Sequence, residues 1–361
     1  MTIATTPRSI ADLQTYAGLE LGHATMAYVQ NFAGDGKAFQ ASLSAYNRWD
    51  LNRRPTIRRS AETPTIACDT GFADIVSPIM VAPTAFHNLY NRGAEKAMYD
   101  GAHDFGTFDV ISSFSSMPFA DIGASLTSGL YQILMYRDPT LMMRYINRAV
   151  RAGCKGIVVT IDALKGCSMC RVDPSQPAVR FPGLDALPLL PFQEIDPGSN
   201  FAEYYERHMP GMLDWGVLAY VVANAGVPVI LKGVLTSEEV TTAIDIGTAG
   251  VIVSNHGGRQ NDDAPGTLDA LASLDPKLLT YIPVFLDGGI RTGEDVFKAL
   301  ALGARAVLIG RPAIYGLAYD GADGVKLALQ ILSLELQQCM LETGCNTLAD
   351  ITRDTLIKKE V

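Results

Sequence analysis

Eight short apolar runs recur along the chain, and this repetition is the feature that most constrains its fold. Near-continuous apolar runs are typical of strands buried on both faces, as in parallel sheets. Segments with helical spacing of apolar residues separate the runs, for example at 141–153 and at 237–247, where Ser237 is the expected helix cap. Eight strand-then-helix units predict an α/β fold, a closed (β/α)8 TIM barrel, with a doubly wound open sheet as the alternative. The runs are IMVAP (79–83), FDVISS (108–113), LYQILMY (130–136), GIVVTID (156–162), PVILKG (228–233), AGVIVSN (249–255), PVFLDGG (283–289) and AVLIGRP (306–312).

The spacing of these runs also predicts what surrounds the barrel. The fourth and fifth runs begin at residues 156 and 228, further apart than one helix requires, so we expect a long lid insertion over 163–210. In a barrel such a loop emerges on the face that carries active sites. Residues 1–75 precede the first run and are expected to form an N-terminal helical cover. We predict a single domain over 1–361.

The composition of the chain excludes several classes of protein. Its 361 residues carry a formal net charge of −9, whereas a nucleic-acid binder needs a basic surface to neutralise phosphates. The longest uncharged stretch, 215–231, is interrupted by glycine, asparagine and proline and therefore predicts no membrane span. The first residues contain no apolar run typical of a secretory signal, and six cysteines are too sparse for a disulfide scaffold. A cytoplasmic location is therefore expected.

Cys167 and Cys170 form a C-x-x-C pair, which is the spacing of redox motifs and zinc half-sites. No second pair lies at zinc-finger spacing, and the other four cysteines are scattered along the chain. We therefore expect two ordinary thiols in a loop, and we predict no metal site.

Chemically active residues stand at the end of every predicted strand, where a barrel collects its active-site groups. One polar strand end is ordinary, but eight together suggest a shared ligand. The last two strands end in DGGIR and IGRP. Glycine there permits close backbone approach, a helix N-terminus offers N–H groups, and arginine binds phosphate. The residues at the strand ends are Thr84, Ser112, Ser113, Gln132, Thr160, Asp162, Lys232, Ser254, His256, Arg259, Asp287, Arg291, Gly310 and Arg311.

Four of these residues are candidates for catalysis. Lys232 ends an apolar strand, either as a snorkelling lysine or as a fixed cation that stabilises a developing anion; the neighbouring polar groups favour the second interpretation. His256 is either a core histidine or a general base that Asp162 orients. Arg259 stands three residues beyond the histidine, either as a surface arginine or as a grip for a substrate carboxylate.

Nine segments of the chain match one known family. They are NFAGDG (31–36), VAPTA (81–85), SSFSS (112–116), YQILMYRD (131–138), VTID (159–162), LKGVLT (231–236), VSNHGGRQ (253–260), LDGGIRTGEDVFKALALGA (286–304) and IGRP (309–312). The SNHGGRQ segment and the segment that begins DGGIR are the most specific of them. On this basis the chain resembles, over nearly its whole length, the FMN-dependent 2-hydroxy-acid oxidases and dehydrogenases.

The resemblance implies FMN as the cofactor and a role for each matched residue. Lys232 would face the flavin and stabilise its reduced form, and His256 would be the active-site base, oriented by Asp162. Arg259 would bind the substrate carboxylate. In the family's reaction the base takes a proton while two electrons pass to the flavin, which yields a 2-oxo acid, and oxygen or another acceptor then reoxidises the flavin. The residues implied to line the flavin are Pro83, Thr84, Ala85, Ser112, Gln132, Thr160 and Ser254, and those implied to hold its ribityl phosphate are Asp287, Gly289, Arg291, Gly310 and Arg311.

The substrate side of the implied site departs from the family's pattern. Asn31 and Leu134 stand where the family usually carries tyrosines, and Met169 stands where it carries a lid arginine. Each lost hydrogen bond to a small hydroxy acid costs ~1–3 kcal/mol if nothing replaces it. The positions implied to meet the substrate are Asn31, Phe114, Leu134, Met169, His256 and Arg259.

Three functions are compatible with these residues. The first is oxidation of a 2-hydroxy acid, with a bulky or aromatic acid as a candidate, and the retained base and Arg259 favour it. The second is an FMN-dependent oxygenase or oxidase of an atypical substrate in a biosynthetic pathway, such as an aromatic 2-oxo or 2-hydroxy acid or an amine. The missing tyrosines and lid arginine favour that function. The third is a catalytically inactive binding module, against which the retained Lys232 and His256 argue. Relatives of this fold often form tetramers, so we expect a homo-oligomer.

Overall fold

Parallel strands close into a barrel in the computed structural model, which describes residues 6–54, 63–123, 126–164 and 206–359. The last barrel strand pairs with the first, which confirms the predicted TIM barrel and excludes the open sheet. The barrel strands are β1 (Ile79–Val81), β2 (Asp109–Ser112), β3 (Gly129–Leu134), β4 (Ile157–Thr160), β5 (Val229–Val234), β6 (Gly250–Val253), β7 (Val284–Asp287) and β8 (Ala306–Ile309).

Helices surround the barrel, and three of them precede it. The final helix is broken at Asp320 and Gly321, where the backbone angles leave the helical range. Most of the predicted lid, over 165–205, lies outside the described residues. The helices are α1 (Ile10–Glu20), α2 (His23–Gln30), α3 (Lys37–Ser44), α4 (Ala94–Phe105), α5 (Phe119–Ile122), α6 (Pro139–Arg151), α7 (Trp215–Asn224), α8 (Ser237–Asp245), α9 (Thr267–Ser273), α10 (Gly293–Ala301) and α11 (Arg311–Thr343).

Two small antiparallel sheets lie outside the barrel strands. One joins Trp49–Leu51 to Leu356–Lys358, and the other is a hairpin of Cys68–Asp69 and Asp74–Ile75. In the hairpin turn, the Phe72 ring lies 5.5 Å from the ring of Phe108 and 6.0 Å from that of Phe285. Both partners stand at the beginnings of barrel strands. The hairpin therefore closes the N-terminal end of the barrel with apolar side chains, and the opposite end remains for a site.

Helix α8 begins one residue earlier than its sequence suggested. We expected Ser237 to cap it, but the hydroxyl of Thr236 accepts the N–H of Glu239, and the Glu239 carboxylate accepts the N–H of Thr236. A capping box needs a carboxylate three residues beyond the cap, and Thr236 has one at that spacing. The capping box of Thr236 and Glu239 therefore determines that α8 begins at Ser237.

None of the helices in the described part of the chain is long and apolar enough to cross a membrane. The uncharged stretch 215–231 is divided between α7, a turn and the first residues of β5. Its division between two elements follows from Gly226 and Pro228, because neither residue favours the interior of a helix.

A buried carboxyl group begins strand β2. Asp109 is 1% exposed, and neither of its side-chain oxygens has a hydrogen-bond partner among the described residues. Its neighbours Phe108 and Val110 belong to the barrel interior, so its own side chain points outward, beneath the helices. Burial, together with the charge of Glu95, raises the pKa of Asp109 well above its usual value.

We predict that Asp109→Asn stabilises the protein, and more so at high pH. Because the pKa of Asp109 is higher in the folded than in the unfolded state, wild-type stability falls as the pH rises above the ordinary value of 3.8. Denaturant unfolding at pH 8 should show a gain of ~1–3 kcal/mol that shrinks toward pH 4. The exposed Asp245→Asn is the control, with a change within about 0.5 kcal/mol at both pH values. A pH-independent difference for Asp109→Asn would contradict the prediction.

Candidate functional site

A pocket opens at the carboxyl end of the barrel, and the ends of all eight strands contribute to it. It encloses about 1200 Å³ of empty space, counted out to its open mouth. This is the end at which barrel enzymes bind their ligands. The predicted site residues that line it are Pro83, Thr84, Ala85, Ser112, Phe114, Gln132, Leu134, Thr160, Lys232, His256, Arg259, Asp287, Gly289, Arg291, Gly310 and Arg311.

A belt of polar side chains crosses three adjacent strands at the floor of the pocket. The Ser112 hydroxyl donates to the Gln132 side-chain oxygen at 3.3 Å, and the Gln132 amide donates to the Thr160 hydroxyl at 3.0 Å. Strand register then places Thr160 beside Lys232. Because each side chain is held by a hydrogen bond to the next one, its orientation is fixed. The belt therefore presents a fixed pattern of donors and acceptors to a ligand.

Lys232 ends this belt as a buried cation. Its ammonium lies 3.1 Å from a carboxylate oxygen of Asp287 and donates to the Ser254 hydroxyl at 2.9 Å. Burial alone lowers the pKa of Lys232, but the carboxylates of Asp287 and Asp162 more than offset it and raise the pKa above its usual value. The ammonium therefore stays charged. Ser254 is not among the residues that line the pocket, and its hydroxyl accepts hydrogen bonds from Lys232 and from the His256 N–H.

His256 lines the pocket and is held by Asp162. The Nδ1 atom of the ring lies 2.9 Å from an Asp162 carboxylate oxygen. Burial raises the pKa of Asp162, but the nearby His256 and Lys232 lower it by a larger amount. The net pKa is therefore below the usual value, and the carboxylate is ionised. An ionised carboxylate only accepts hydrogen bonds, so Nδ1 carries a proton, and in the neutral ring the lone pair is then on Nε2. That nitrogen is the one available to accept a proton.

The backbone around His256 is strained. His256 has a φ of +59°, and Gly257 and Gly258 follow at +63° and +73°. A non-glycine residue in this region marks a turn or stored strain, which is typical of functional sites. A Cβ atom on Gly258 would lie 2.6 Å from the backbone of Phe39 in α3, so only glycine fits there.

Asn255 holds this strained turn, and the sequence analysis did not single it out. Its amide donates to the Ser42 hydroxyl at 2.8 Å and to the Pro265 carbonyl at 3.0 Å, and its oxygen accepts the Gly258 N–H. The residue thus ties the turn to α3. Asparagine before a histidine and two glycines was the available signal, since asparagine often bonds the backbone of its own turn.

Three arginines concentrate positive charge on one side of the pocket. Burial, and the charges of Arg259 and Arg291, lower the pKa of Arg311 to about 9. Such a group of partly buried cations is an anion site, because an anion would relieve their mutual repulsion. Helix α11 begins at Arg311, and Gly310 before it offers no side-chain cap; Pro312 has no N–H, so the N–H groups of Arg311 and Ala313 are the ones that remain available to a ligand.

Two of these arginines also fasten α2 to the barrel. Arg311 Nε donates to the Val29 carbonyl at 2.9 Å, and Arg259 Nη1 donates to the Tyr28 carbonyl at the same distance. Both arginines also donate to the Asn31 carbonyl, at 2.7 and 3.2 Å. These carbonyls belong to the C-terminal end of the helix, where basic groups bind favourably.

The structure does not place the Asn31 side chain in the pocket. Asn31 follows the last turn of α2, its side chain is exposed, and its oxygen accepts the Phe32 N–H at 2.8 Å. Tyr28, one helical turn earlier, lines the pocket instead, and the Arg259 guanidinium carbon lies 4.8 Å from the centre of its ring. Counting along the chain could not show this, because the end of α2 turns residue 31 away from the barrel.

Apolar side chains form the remaining wall of the pocket. The Phe86 ring lies 6.1 Å from that of Phe114 and 6.5 Å from that of Tyr28. Leu134, at the end of β3, lines the same pocket and is 4% exposed. Of the predicted residues, Met169 lies outside the described part of the chain, as do Cys167 and Cys170.

Gly233 was also missed, although it decides where Asp162 lies. Its φ is +108°, and a Cβ atom there would lie 2.7 Å from the Cβ and Cγ atoms of Asp162. The register of β5 against β6 shifts between Lys232 and Val234, on either side of it. The glycine thus lets the strand pass close under the aspartate. A glycine inside an apolar strand was the available signal.

Comparison with known proteins identifies relatives of the whole chain. The sequence profile of FMN-dependent dehydrogenases matches residues 17–358. The 2-hydroxyacid oxidase 2 of Mus musculus is 34% identical over 358 residues, which cover 96% of this chain and 97% of that protein. The peroxisomal (S)-2-hydroxyacid oxidase of Arabidopsis thaliana is 38% identical over 285 residues, which cover 78% of this chain and 77% of that protein.

Solved structures show the same likeness in three dimensions. A crystal structure of mandelate oxidase superposes with a TM-score of 0.84 at 31% identity and covers 98% of this chain and 99% of that one. A structure of mandelate oxidase with (S)-4-hydroxymandelic acid superposes with a TM-score of 0.82 at 30% identity, with the same coverage. The likeness therefore includes the N-terminal helices as well as the barrel.

We predict that Gly233→Ala breaks the bond between His256 and Asp162. The added methyl group displaces the carboxylate, and the backbone strain lowers the free energy of unfolding by ~1–3 kcal/mol. Proton NMR should show loss of the hydrogen-bonded His256 Nδ1–H signal. Gly303→Ala is the matched control, because its φ is +105° and its Cβ would meet only the end of the Leu279 side chain. That variant should lose similar stability and keep the signal. Retention of the signal in Gly233→Ala would refute the positioning role.

Proposed function

The chain belongs to the family of FMN-dependent dehydrogenases, and from this membership we propose that it oxidises a 2-hydroxy acid to the corresponding 2-oxo acid. It is an oxidoreductase, and its cofactor is FMN. One observation carries the proposal: His256, held at Nδ1 by Asp162, lines the same pocket as the cation Lys232 and the arginine Arg259. A base, a fixed positive charge and a carboxylate grip are what this oxidation needs.

The residues of the pocket fit FMN. Arg291 and Arg311, with the first N–H groups of α11, would hold the phosphate, since they form a cationic cluster at a helix N-terminus. Asp287 lines the pocket, and one of its buried carboxylate oxygens has no hydrogen-bond partner among the described residues. This oxygen would accept a ribityl hydroxyl, whereas the negative charge makes it unsuited to the phosphate. Gly289 and Gly310 line the pocket beside these groups.

The polar belt would meet the flavin ring. We assign the ring to Pro83, Thr84 and Ala85 at the end of β1 and to the belt of Ser112, Gln132 and Thr160, with Ser254 acting through its bonds to Lys232 and to the His256 N–H. When bound, FMN accepts the two electrons of the reaction. Lys232 supplies a positive charge that stabilises negative charge developing beside it, and Asp287 and Ser254 keep its ammonium in place.

His256 and Arg259 would act on the substrate. Arg259 offers its guanidinium to the carboxylate, a charge-assisted and geometrically specific contact. His256 Nε2 accepts one proton of the CH–OH group, and the imidazolium that forms is stabilised by the ionised Asp162. In total the hydroxy acid loses two electrons and two protons, and its carbinol carbon becomes a carbonyl; His256 takes one proton, and the electrons and the other proton would pass to the bound FMN.

The substrate we propose is a 2-hydroxy acid with a bulky or aromatic side chain. The rings of Tyr28, Phe86 and Phe114, together with Leu134, form an apolar wall that would bury such a side chain. Mandelate oxidase, to which the fold is similar, supports an aromatic acid as the first choice. We propose oxygen or another small acceptor for reoxidation. A homo-oligomer and a cytoplasmic location stay predictions, although the similar plant enzyme is named as peroxisomal.

Oxygenation of an aromatic acid is the second candidate function. Leu134 favours it, because this pocket residue offers no hydroxyl where a polar partner of the hydroxy acid was expected. The two functions differ in their products. Oxidation leaves the numbers of carbon and oxygen atoms in the acid unchanged, whereas oxygenation inserts an oxygen atom.

We predict that aromatic 2-hydroxy acids bleach the flavin of the purified holoenzyme under anaerobic conditions. Mandelate and its ring-substituted forms should reduce it faster than glycolate or lactate, because only the larger acids bury area against the aromatic wall. Stopped-flow absorbance gives the rates, and the product is identified by mass. The corresponding amides are matched controls that lack the carboxylate. If no 2-hydroxy acid reduces the flavin, the first function fails, and oxygen uptake with incorporation of labelled oxygen would favour the second.

We predict that His256→Ala keeps FMN bound and slows flavin reduction by ~10²–10⁴-fold, the usual contribution of a general base. FMN affinity, measured by fluorescence of released flavin, should stay within a few-fold, because His256 is not among the phosphate and ribityl contacts. His103→Ala is the control, since that exposed histidine bonds Ser128 away from the pocket. Reduction of His256→Ala at the wild-type rate would remove the assigned role.

A further inference from the structure

His87 is a buried histidine beside the pocket that the proposed mechanism does not use. It follows β1 and is 2% exposed. Its Nε2 atom lies 2.6 Å from the hydroxyl oxygen of Thr84, which lines the pocket. A contact of this length between a ring nitrogen and a hydroxyl is a hydrogen bond.

The position of His87 is set by its backbone rather than by its ring. The Glu95 carboxylate accepts the His87 N–H at 3.1 Å and the Ser116 N–H at 2.8 Å. Ser116 in turn accepts the N–H of Asn88 at 3.2 Å. Phe86, just before His87, has a φ of +60°. These contacts would keep the turn in place if the imidazole changed, so the ring itself has another reason to be there.

The neutral imidazole of His87 carries one proton, which lies on either Nδ1 or Nε2. Burial lowers the pKa of His87, although the charge of Glu95 and a hydrogen bond to the Thr84 backbone oppose this, so the ring is neutral. Its Nδ1 atom is buried with no hydrogen-bond partner among the described residues. An unpaired buried N–H is rarer in proteins than an unpaired acceptor. The proton therefore lies on Nε2, which donates it to Thr84.

This tautomer determines what Thr84 presents to the pocket. A hydroxyl that accepts a hydrogen bond still has its own proton to donate. The contact with His87 is the one hydrogen bond that the structure shows for the Thr84 hydroxyl within the described residues. The Thr84 proton is thus directed to whatever binds in the pocket. With the opposite tautomer, Thr84 would donate to His87 and show the pocket only lone pairs.

We propose that His87 is a positioning residue that makes the Thr84 hydroxyl a hydrogen-bond donor to the flavin ring and thereby raises the reduction potential of the bound FMN. The proposal rests on the assignment of Thr84 to the flavin ring under the proposed function. A donor strengthens its bond as its acceptor gains electrons, so it stabilises reduced FMN more than oxidised FMN.

The tautomer is tested on the holoenzyme by NMR of protein labelled with ¹⁵N in histidine. The chain has five histidines, and the spectrum of His87→Gln identifies the His87 signals by their absence. We expect a protonated Nε2 and an unprotonated Nδ1. A proton on Nδ1 would overturn the proposal.

The effect on the flavin is tested by equilibrium reduction with a reference dye, which requires no substrate. His87→Phe removes both nitrogens and should reduce the preference of the protein for reduced over oxidised FMN by about tenfold, the upper range for one hydrogen bond. Tenfold corresponds to a fall of ~30 mV for a two-electron couple. His87→Gln carries an amide nitrogen at the place of Nε2 and should keep the wild-type potential. His87→Asn, whose amide corresponds to Nδ1, should behave like His87→Phe.

A double-mutant cycle separates positioning from a general structural role. In a Thr84→Val background the hydroxyl is gone, so His87→Phe should cause no further change in potential. An equal fall in both backgrounds, or no fall with Thr84 present, would overturn the proposal. If His87→Phe does not fold, the His87→Gln and His87→Asn pair and the NMR measurement still decide it. Failure of every 2-hydroxy acid to reduce the wild-type flavin would instead reject the proposed reaction and leave these comparisons valid.

Discussion

The buried charge of Lys232 is the interaction on which the pocket depends. An ammonium taken out of water is unfavourable unless carboxylates balance it, and Asp287, at the end of β7, and Asp162, just after β4, do so. Asp287 thus stands beside Lys232, and Asp162 remains ionised and able to hold His256. One cation therefore links strands β4, β5 and β7 with the turn after β6. The charges that stabilise the site are also the charges that we assign to its chemistry.

On the other side of the pocket, charged groups also have both a structural and a binding role, because Arg259 and Arg311 bind the end of α2. Each guanidinium satisfies carbonyls that a helix leaves unpaired, and each also faces the pocket. The N-terminal helices are therefore part of the site and not only a cover over it. Tyr28 is the clearest example, because it lines the pocket from this helix and its ring contacts the Arg259 guanidinium.

Much of this site was predictable from local signals. His256, Lys232 and Asp162 stand at strand ends, and a barrel brings all of its strand ends to one face, so their proximity followed from the fold class. The residues that the sequence analysis missed act through contacts between distant segments. Gly233 matters because Asp162 packs on it, and Asn255 matters because it reaches Ser42 in α3. Neither contact has a pattern along the chain, because the partners are far apart in sequence.

The sequence by itself determined the barrel, its strand order, the end at which the pocket opens and the family. Apolar periodicity and glycine spacing are local properties, and they decide the barrel and its open end through burial and backbone geometry, whereas the family followed from the resemblance of its motifs. The tertiary structure alone decided that the Asn31 side chain lies outside the pocket while Tyr28 enters it, and that Glu95 and Ser116 hold the turn in which His87 contacts Thr84. These outcomes depend on where a helix ends and where a buried proton finds an acceptor. Both are settled only when separate segments pack together, because the free energy of a polar group depends on its neighbours in space.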